Sequence, residues 1–447
     1  MDKLLIILCF LLGLVMSLAA FPDGAVTVIF ISICSAVVVY IINRVFKEEA
    51  KLVTQIFLAA LLARLTFGLL IHLFDLRAFF GGDAITYDAL GNRLMELWLG
   101  REFTNSNNIT SYAMNMSSGW GMNYLTGFIY VFTGRNIYAA QSFCGLIGAA
   151  TAPMVYACAY KIFHNKRVSI LSALFVALYP AFIIWSGQLL KDGLIIFLLV
   201  LSITMVLQLQ EKFSYWTVGI LIFALFGIIS VRFYIFYMVA IAVVGSFIIG
   251  SSTSNNSIVR RSVILVIMGL SLTYLGVLRN AGDQFEEYGN LERIQLSRAD
   301  LAKSESGFGS ESDISTTEGA ITALPIGFIY LMLAPFPWQI TNLRQAITLP
   351  EILLWWASIP LMISGLWFTV KHRLRAALSV LIFTLMLTLA YSLFQGNVGT
   401  AYRQRTQIQV FLFIFIGAGW TLREEKKENR KILQSVKRKT PLTHLAR

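Results

Sequence analysis

The sequence predicts an all-α polytopic membrane protein of about twelve transmembrane helices, with two further segments that re-enter the membrane or lie on its surface. Three observations predict it. Hydrophobic residues fill 57% of the 447 positions and charged residues only 13%, against about 25% charged in an ordinary soluble domain. Mean hydropathy is +0.70. Apolar runs of span length recur along the chain, and about twelve helices of roughly 20 residues account for most of the apolar content. A soluble enzyme, a coiled coil, a disordered chain and a disulfide-stapled secreted domain are thereby excluded.

In chain order the runs cover 4–21, 25–43, 52–75, 137–160, 168–186, 192–209, 214–231, 233–250, 262–279, 352–370, 375–394 and 407–421. The first resembles a signal peptide, but a second run follows within a few residues, so it reads as a retained helix. Two other runs, 119–133 and 320–337, are short or broken by Gly and Pro. Cys9, Cys34, Cys144 and Cys158 all lie in apolar runs, with no zinc spacing and no expected disulfide.

Orientation follows from the short basic turns at 43–51, 161–167, 259–261 and 371–375, and from nine Lys or Arg beyond Leu422. Basic turns stay in the cytoplasm. Twelve spans satisfy all of them if 119–133 and 320–337 do not cross, and both termini are then cytoplasmic. Such segments persist at membrane depth only when packed in protein or lining a cavity. Read as a thirteenth span, 320–337 would instead reverse the side of 280–319.

The net charge of +12 divides by side into +15 within and −4 outside, with Arg64 inside a span. The basic balance therefore records orientation, and nucleic acid is not an expected partner. The tail 422–447 lies on anionic lipid or is simply a solvated end. The chain divides into two N-terminal helices (1–51), a transmembrane core (52–421) and this tail. Two outer loops, 76–136 and 280–351, are long, and long loops in a compact protein commonly carry function. No internal repeat of the transporter kind is present. Asn108 and Asn115 begin glycan-acceptor patterns whose use nothing else suggests.

The first outer loop opens FFGGDAITYDALGNRLMELWLG (79–100). Tyr87, Leu90, Leu94, Leu97 and Trp98 share one helical face, and Asp88, Asn92, Arg93 and Glu96 the other, as in a helix lying on the membrane surface. Asp83 at its start is either the helix N-cap or a general base at the water–lipid boundary.

An Asp opening the first outer loop of the core, a Tyr four residues on and a surface helix resemble the GT-C class of membrane glycosyltransferases, in particular the protein O-mannosyltransferase and aminoarabinose-transferase families. Residues 119–163, with an aromatic helix ending in Gly and then a span closed by a basic turn, are similar to their next stretch. ALYPAFIIWSGQLLKDGLIIFLLVL (177–201) is similar to the following hairpin, and GNVGTAYRQRTQIQVFLFIFIG (396–417) to the final loop and span. The resemblance covers roughly 52–420. Ala84 stands where the family often has a second acid, and Asp88 falls one turn along the helix. That weakens a metal-binding reading of the loop but leaves a divalent cation open, and no other cofactor is indicated.

The resemblance implies a polyprenyl-phosphate-linked sugar donor, an acceptor glycan, lipid or protein, and inversion at the anomeric carbon. A carboxylate, Asp83, would take the acceptor proton, and cations would meet the leaving phosphate. Candidate donor contacts are Arg403 and Arg405 at the mouth of the last span, Lys191 beside Asp192, and Arg232 in a tight turn. Tyr87 and Asp88 complete the substrate-binding set. Each cation also has a bland reading as an interface anchor, a local ion pair or a turn arginine. Arg64, deep in a span, reads as half of a structural ion pair or as part of a proton or ion pathway. Trp98, Trp120, Trp185 and Trp338 fit an interfacial belt or a sugar-stacking role. The setting implied is a bacterial inner membrane with the site on its outer face. Competing readings are an O-antigen or exopolysaccharide polymerase or ligase using lipid-diphosphate-linked glycan, and a flippase or transporter, which would show paired intramembrane charges and repeat symmetry.

Overall fold

The computed structural model describes residues 2–80, 82–101, 119–249, 290–303, 306–309, 313–340 and 342–439, together with 266, 269 and 270. The expected span 262–279, the basic turn 259–261 and the acceptor patterns at Asn108 and Asn115 fall wholly or mostly outside the described residues. Among those described, every regular element is helical, apart from one isolated antiparallel bridge between Gly307 and Asn397.

The N-terminal helices are α1 (Asp2–Ala19), α2 (Asp23–Phe46) and α3 (Ala50–Leu73). A single turn, α4 (Arg77–Phe80), precedes α5 (Asp83–Trp98) and α6 (Trp120–Thr133). Then come α7 (Ile137–Phe163), α8 (Lys166–Leu178), α9 (Pro180–Ser186), α10 (Lys191–Glu211), α11 (Tyr215–Val231) and α12 (Phe233–Ile249). The C-terminal part holds α13 (Leu291–Ala302), α14 (Thr317–Leu333), α15 (Leu343–Ile347), α16 (Leu349–His372), α17 (Leu374–Phe394) and α18 (Val398–Lys439). Among the described residues, five helical stretches are long and apolar enough to cross a membrane: 23–73, 137–163, 191–211, 349–372 and 374–394. Of the other described runs, 407–421 lies within the 42-residue α18, and the rest form shorter helices or a bent pair. At about 1.5 Å per residue, α6 is only about 21 Å long, short of a hydrocarbon core of about 30 Å. The four cysteines are free. The chain is an all-α membrane protein.

The helix α7 is the central post, packed by α2, α3, α8 and α10. Its buried face is built from small residues, among them Ala139, Ala140, Ala149 and Ala152, and small residues let helices approach closely where no hydrophobic force draws them together. Gly148 is one of these: a Cβ there would stand 2.4 Å from Ser186. The second tight crossing joins α16 to α18, where a Cβ on Gly419 would sit 2.0 Å from the Leu361 carbonyl.

The expected span 168–186 is broken. α8 and α9 meet at 53°, because Pro180 has no N–H to continue the ladder and Tyr179 is extended. The carbonyls freed by the break are taken by Arg64. Its Nη1 donates to Ala177 O at 2.8 Å, Nη2 to Val176 O at 3.0 Å, and Nε to Ser186 Oγ at 2.8 Å. So Arg64 forms no ion pair among the described residues. Its guanidinium finishes a broken helix. A proline break in hydrocarbon needs such a donor, and an arginine offers five.

Two further expectations change. α5 does not present Asp88 and Arg93 to solvent; both are buried, because α6 lies along that side. And the final helix passes residue 422 without interruption, as far as Lys439.

One end of the bundle gathers basic turns and their acidic partners. Lys161 pairs with Glu211, Lys166 with Glu49 and Arg167 with Glu428. These contacts gather the 43–51 and 161–167 turns, the end of α10 and the α18 extension at one end. The start of α10 lies about 30 Å away, and the pocket described next opens there.

Candidate functional site

A cavity of about 590 Å³ opens where α5, α10 and α18 begin. Its chemistry is set by Asp83, Lys191, Arg232, Arg344, Tyr402 and Arg403 on its walls. The break at Pro180 matters here. α9 turns the chain so that Trp185 faces the cavity and Lys191 and Asp192 start α10 against it. Val398, Gly399 and Thr400, the first turn of α18, form another wall. Two long helices thus begin at the cavity, and helix N-termini favour anions.

Asp192 is the hub and is completely buried. Arg232 Nη2 donates to its Oδ1 at 3.0 Å, and Arg403 Nε to its Oδ2 at 2.5 Å. Arg403 also reaches Asp83, with Nη1 and Nη2 each 3.3 Å from Oδ2, and its guanidinium lies over the Trp185 ring at 5.4 Å. The two carboxylates are unequal. Charge-assisted bonds of this type are about 2.7–2.9 Å long when strong. The Asp192 contact is tight and buried; the Asp83 contact is long, and Asp83 is 48% exposed. Burial works against the Arg403 charge, but the Asp192 carboxylate bonded to it more than offsets this and holds the guanidinium above its ordinary value.

Asp83 is not the helix cap. Gly82 occupies that position with no side-chain cap, and the Asp83 carboxylate turns to Arg403. Lys191 does not pair with its neighbour Asp192; it makes no hydrogen bond or ion pair among the described residues, and its Nζ lies near Gly119 at the head of α6. Tyr87 is buried under the cluster, and burial, then the charges of Asp83 and Asp192, push its phenol up.

Asp88 and Arg405 stand elsewhere. The Asp88 carboxylate accepts from Tyr130 Oη at 2.6 Å and from Arg135 Nη2 at 2.7 Å, bracing α5 against α6. Arg405 is fully buried and donates from Nη1 to the Met332 and Ala334 carbonyls at 3.1 and 2.8 Å, closing the end of α14. One residue separates Arg403 from Arg405, so on a helix they point about 200° apart, and a paired fork on one phosphate is not formed.

Sequence reasoning passed over Asp192 as a functional residue, and Arg344 and Tyr402 altogether. The signal for Asp192 was present: it is the single acid at the head of a long apolar run, and an acid in such a place is a functional candidate by default. Tyr402 lines the cavity and donates to the buried Glu351 carboxylate at 2.6 Å.

Both carboxylates of the cluster are engaged by Arg403, and among the described residues no three His, Cys, Asp or Glu side chains converge.

A cation-lined cavity at one end of an apolar helical bundle defines a class of membrane protein suited to an anionic ligand. The comparison with known families narrows that class. Residues 112–275 match the model of the dolichyl-phosphate-mannose-protein mannosyltransferase family, so the resemblance to the GT-C glycosyltransferases is borne out, and the chain is read as a membrane glycosyltransferase. The matched stretch, somewhat over a third of the chain, carries Trp185, Lys191, Asp192 and Arg232; Asp83, Arg344 and Arg403 lie outside it. No curated protein matches the chain.

Proposed function

We propose that this protein transfers a sugar from a polyprenyl-phosphate-linked donor to a hydroxyl of a glycan, lipid or protein acceptor, with inversion, at the outer face of a bacterial inner membrane. The observation that carries this reading is the unequal pair of carboxylates on Arg403. Asp192 is buried between two guanidiniums and is unreachable by an acceptor. Asp83 is open to the cavity and only loosely held.

The acceptor hydroxyl binds beside Asp83. As its oxygen bonds to the anomeric carbon, the bond from that carbon to the phosphate oxygen breaks, and the hydroxyl proton passes to the Asp83 carboxylate. The departing polyprenyl phosphate gains charge. Lys191, Arg232 and Arg403 stand where that charge develops, backed by the N-termini of α10 and α18. Fixed cations act without reorganising at the moment of reaction. Arg405 and Asp88 support this geometry from behind rather than touching substrate.

The topology proposed with it has twelve spans, both termini in the cytoplasm, and α6 and α14 not crossing. Residues 1–51 add two helices to a core of 52–421, and the end of α18 with the residues beyond it forms a basic cytoplasmic extension. The gathering of the basic turns 43–51 and 161–167 at the end opposite the cavity supports this orientation.

The test compares wild type with Asp83→Asn, both purified folded, on a panel of polyprenyl-linked sugars, with mass spectrometry following loss of sugar from the lipid. Wild type is expected to consume one donor, and Asp83→Asn to be slower by about 10²–10⁴-fold with unchanged thermal stability. Equal rates would remove Asp83 from the chemistry. Consumption of diphosphate-linked glycans alone, with lengthened product, would replace the transferase reading by a polymerase.

A further inference from the structure

Among the described residues the charges at the cavity do not cancel. Asp83 on its wall and the buried Asp192 behind it stand against four lining cations, Lys191, Arg232, Arg344 and Arg403. Arg232 and Arg403 are neutralised by the two acids through the bonds already described. Lys191 and Arg344 make no hydrogen bond or ion pair with any described residue. A donor with a single phosphodiester brings one negative charge. It meets Lys191, which stands beside the Asp192 hub. One cation is then left without a counter-charge among the described residues, and it lies on a different element.

Arg344 belongs to α15, in the second outer loop. Its guanidinium lies over the Phe79 ring at 5.0 Å. Phe79 sits on α4, four residues before Asp83, so Arg344 is tied to the segment that delivers the proton-accepting carboxylate. The stacked ring occupies one face of the guanidinium and holds its plane. Its N–H edge meets no acceptor among the described residues, and that edge matches a carboxylate or phosphate in bidentate fashion.

We propose that Arg344 selects the acceptor: it binds a carboxylate or phosphate group carried by the molecule whose hydroxyl reaches Asp83. The site then takes two anions, the donor phosphate at Lys191 and an acidic acceptor at Arg344. This rests on the transferase reading for the word acceptor, while the second anion site itself can be measured without turnover.

The experiment measures equilibrium binding by ligand-observed NMR, on the full chain in lipid nanodiscs. The probes are methyl glucuronide, glucose 6-phosphate and neutral methyl glucoside. Wild type is expected to bind both acidic sugars at least about tenfold more tightly than the neutral one, the scale of a charged hydrogen bond. Arg344→Gln, at an exposed position, is expected to bring the three within about threefold of each other, and Arg344→Lys to keep part of the preference. Wild type without discrimination, or Arg344→Gln with full discrimination, overturns the proposal. A further arm compares farnesyl phosphate with farnesyl diphosphate. If Arg344→Gln weakens only the diphosphate and leaves the sugar order intact, Arg344 serves a second donor phosphate and the acceptor proposal falls. Donor turnover on the same samples reports separately on the transferase reading: discrimination without any turnover would overturn that reading and leave the second anion site standing.

Discussion

The two ends of the bundle use charge in opposite ways. At the end carrying the basic turns, Lys161–Glu211 and Arg167–Glu428 join partly or largely exposed side chains. Exposed pairs of this kind contribute about 0–1 kcal/mol. Their residues act by number and side, through the orientation rule, and no single pair matters much. At the cavity end, Asp192 is fully buried and holds Arg232 and Arg403 in fixed positions. There a single carboxylate sets the placement of two cations drawn from helices far apart in sequence. Charge that orients a protein in the membrane is redundant and solvated. Charge that binds a substrate is buried, paired and specific in position.

Breaking the buried hub sharpens this contrast most. Asp192→Asn leaves Arg232 buried without a counter-charge and releases Arg403. We expect a loss of stability of about 3–5 kcal/mol, read by thermal unfolding in detergent. Donor turnover should fall at least as far as in Asp83→Asn, whose stability stays unchanged. If Asp192→Asn were as stable as wild type, the hub would not be what holds the cations.

Next in size is Arg64→Leu. The Val176 and Ala177 carbonyls would lose their donor at the α8–α9 break, and hydrogen bonds to charged groups contribute about 1.5–3 kcal/mol each. The expected loss is about 3 kcal/mol or more. Trp185 and Asp192 follow the break in the chain, so donor affinity should weaken too. Stability lost with donor binding intact would separate the break from the site.

The smallest effect is expected at the opposite end. Arg167→Ala should change stability by no more than about 1 kcal/mol and leave turnover as in wild type. A large loss of turnover there would mean that the two ends are coupled through α18.

The sequence by itself determined the class of the protein. Apolar runs of span length and basic turns of fixed side leave an all-helical membrane bundle as the one fold that satisfies every backbone N–H and C=O in lipid. It also carried the likeness to the glycosyltransferases, and it singled out Asp83, Lys191, Arg232 and Arg403, because a charge beside a long apolar run has few structural uses. Which of those charges meet was a different matter. Asp192 and Arg403 are 211 residues apart and bond at 2.5 Å, whereas Arg403 and Arg405 are neighbours in sequence and diverge around their helix. Asp88 looked solvent-facing until α6 covered it, and Arg64 looked like an ion pair until a proline break elsewhere supplied carbonyls. Hydropathy is a local property that a chain displays residue by residue. The partner of a buried charge is chosen by helix packing, and only the tertiary structure decides that.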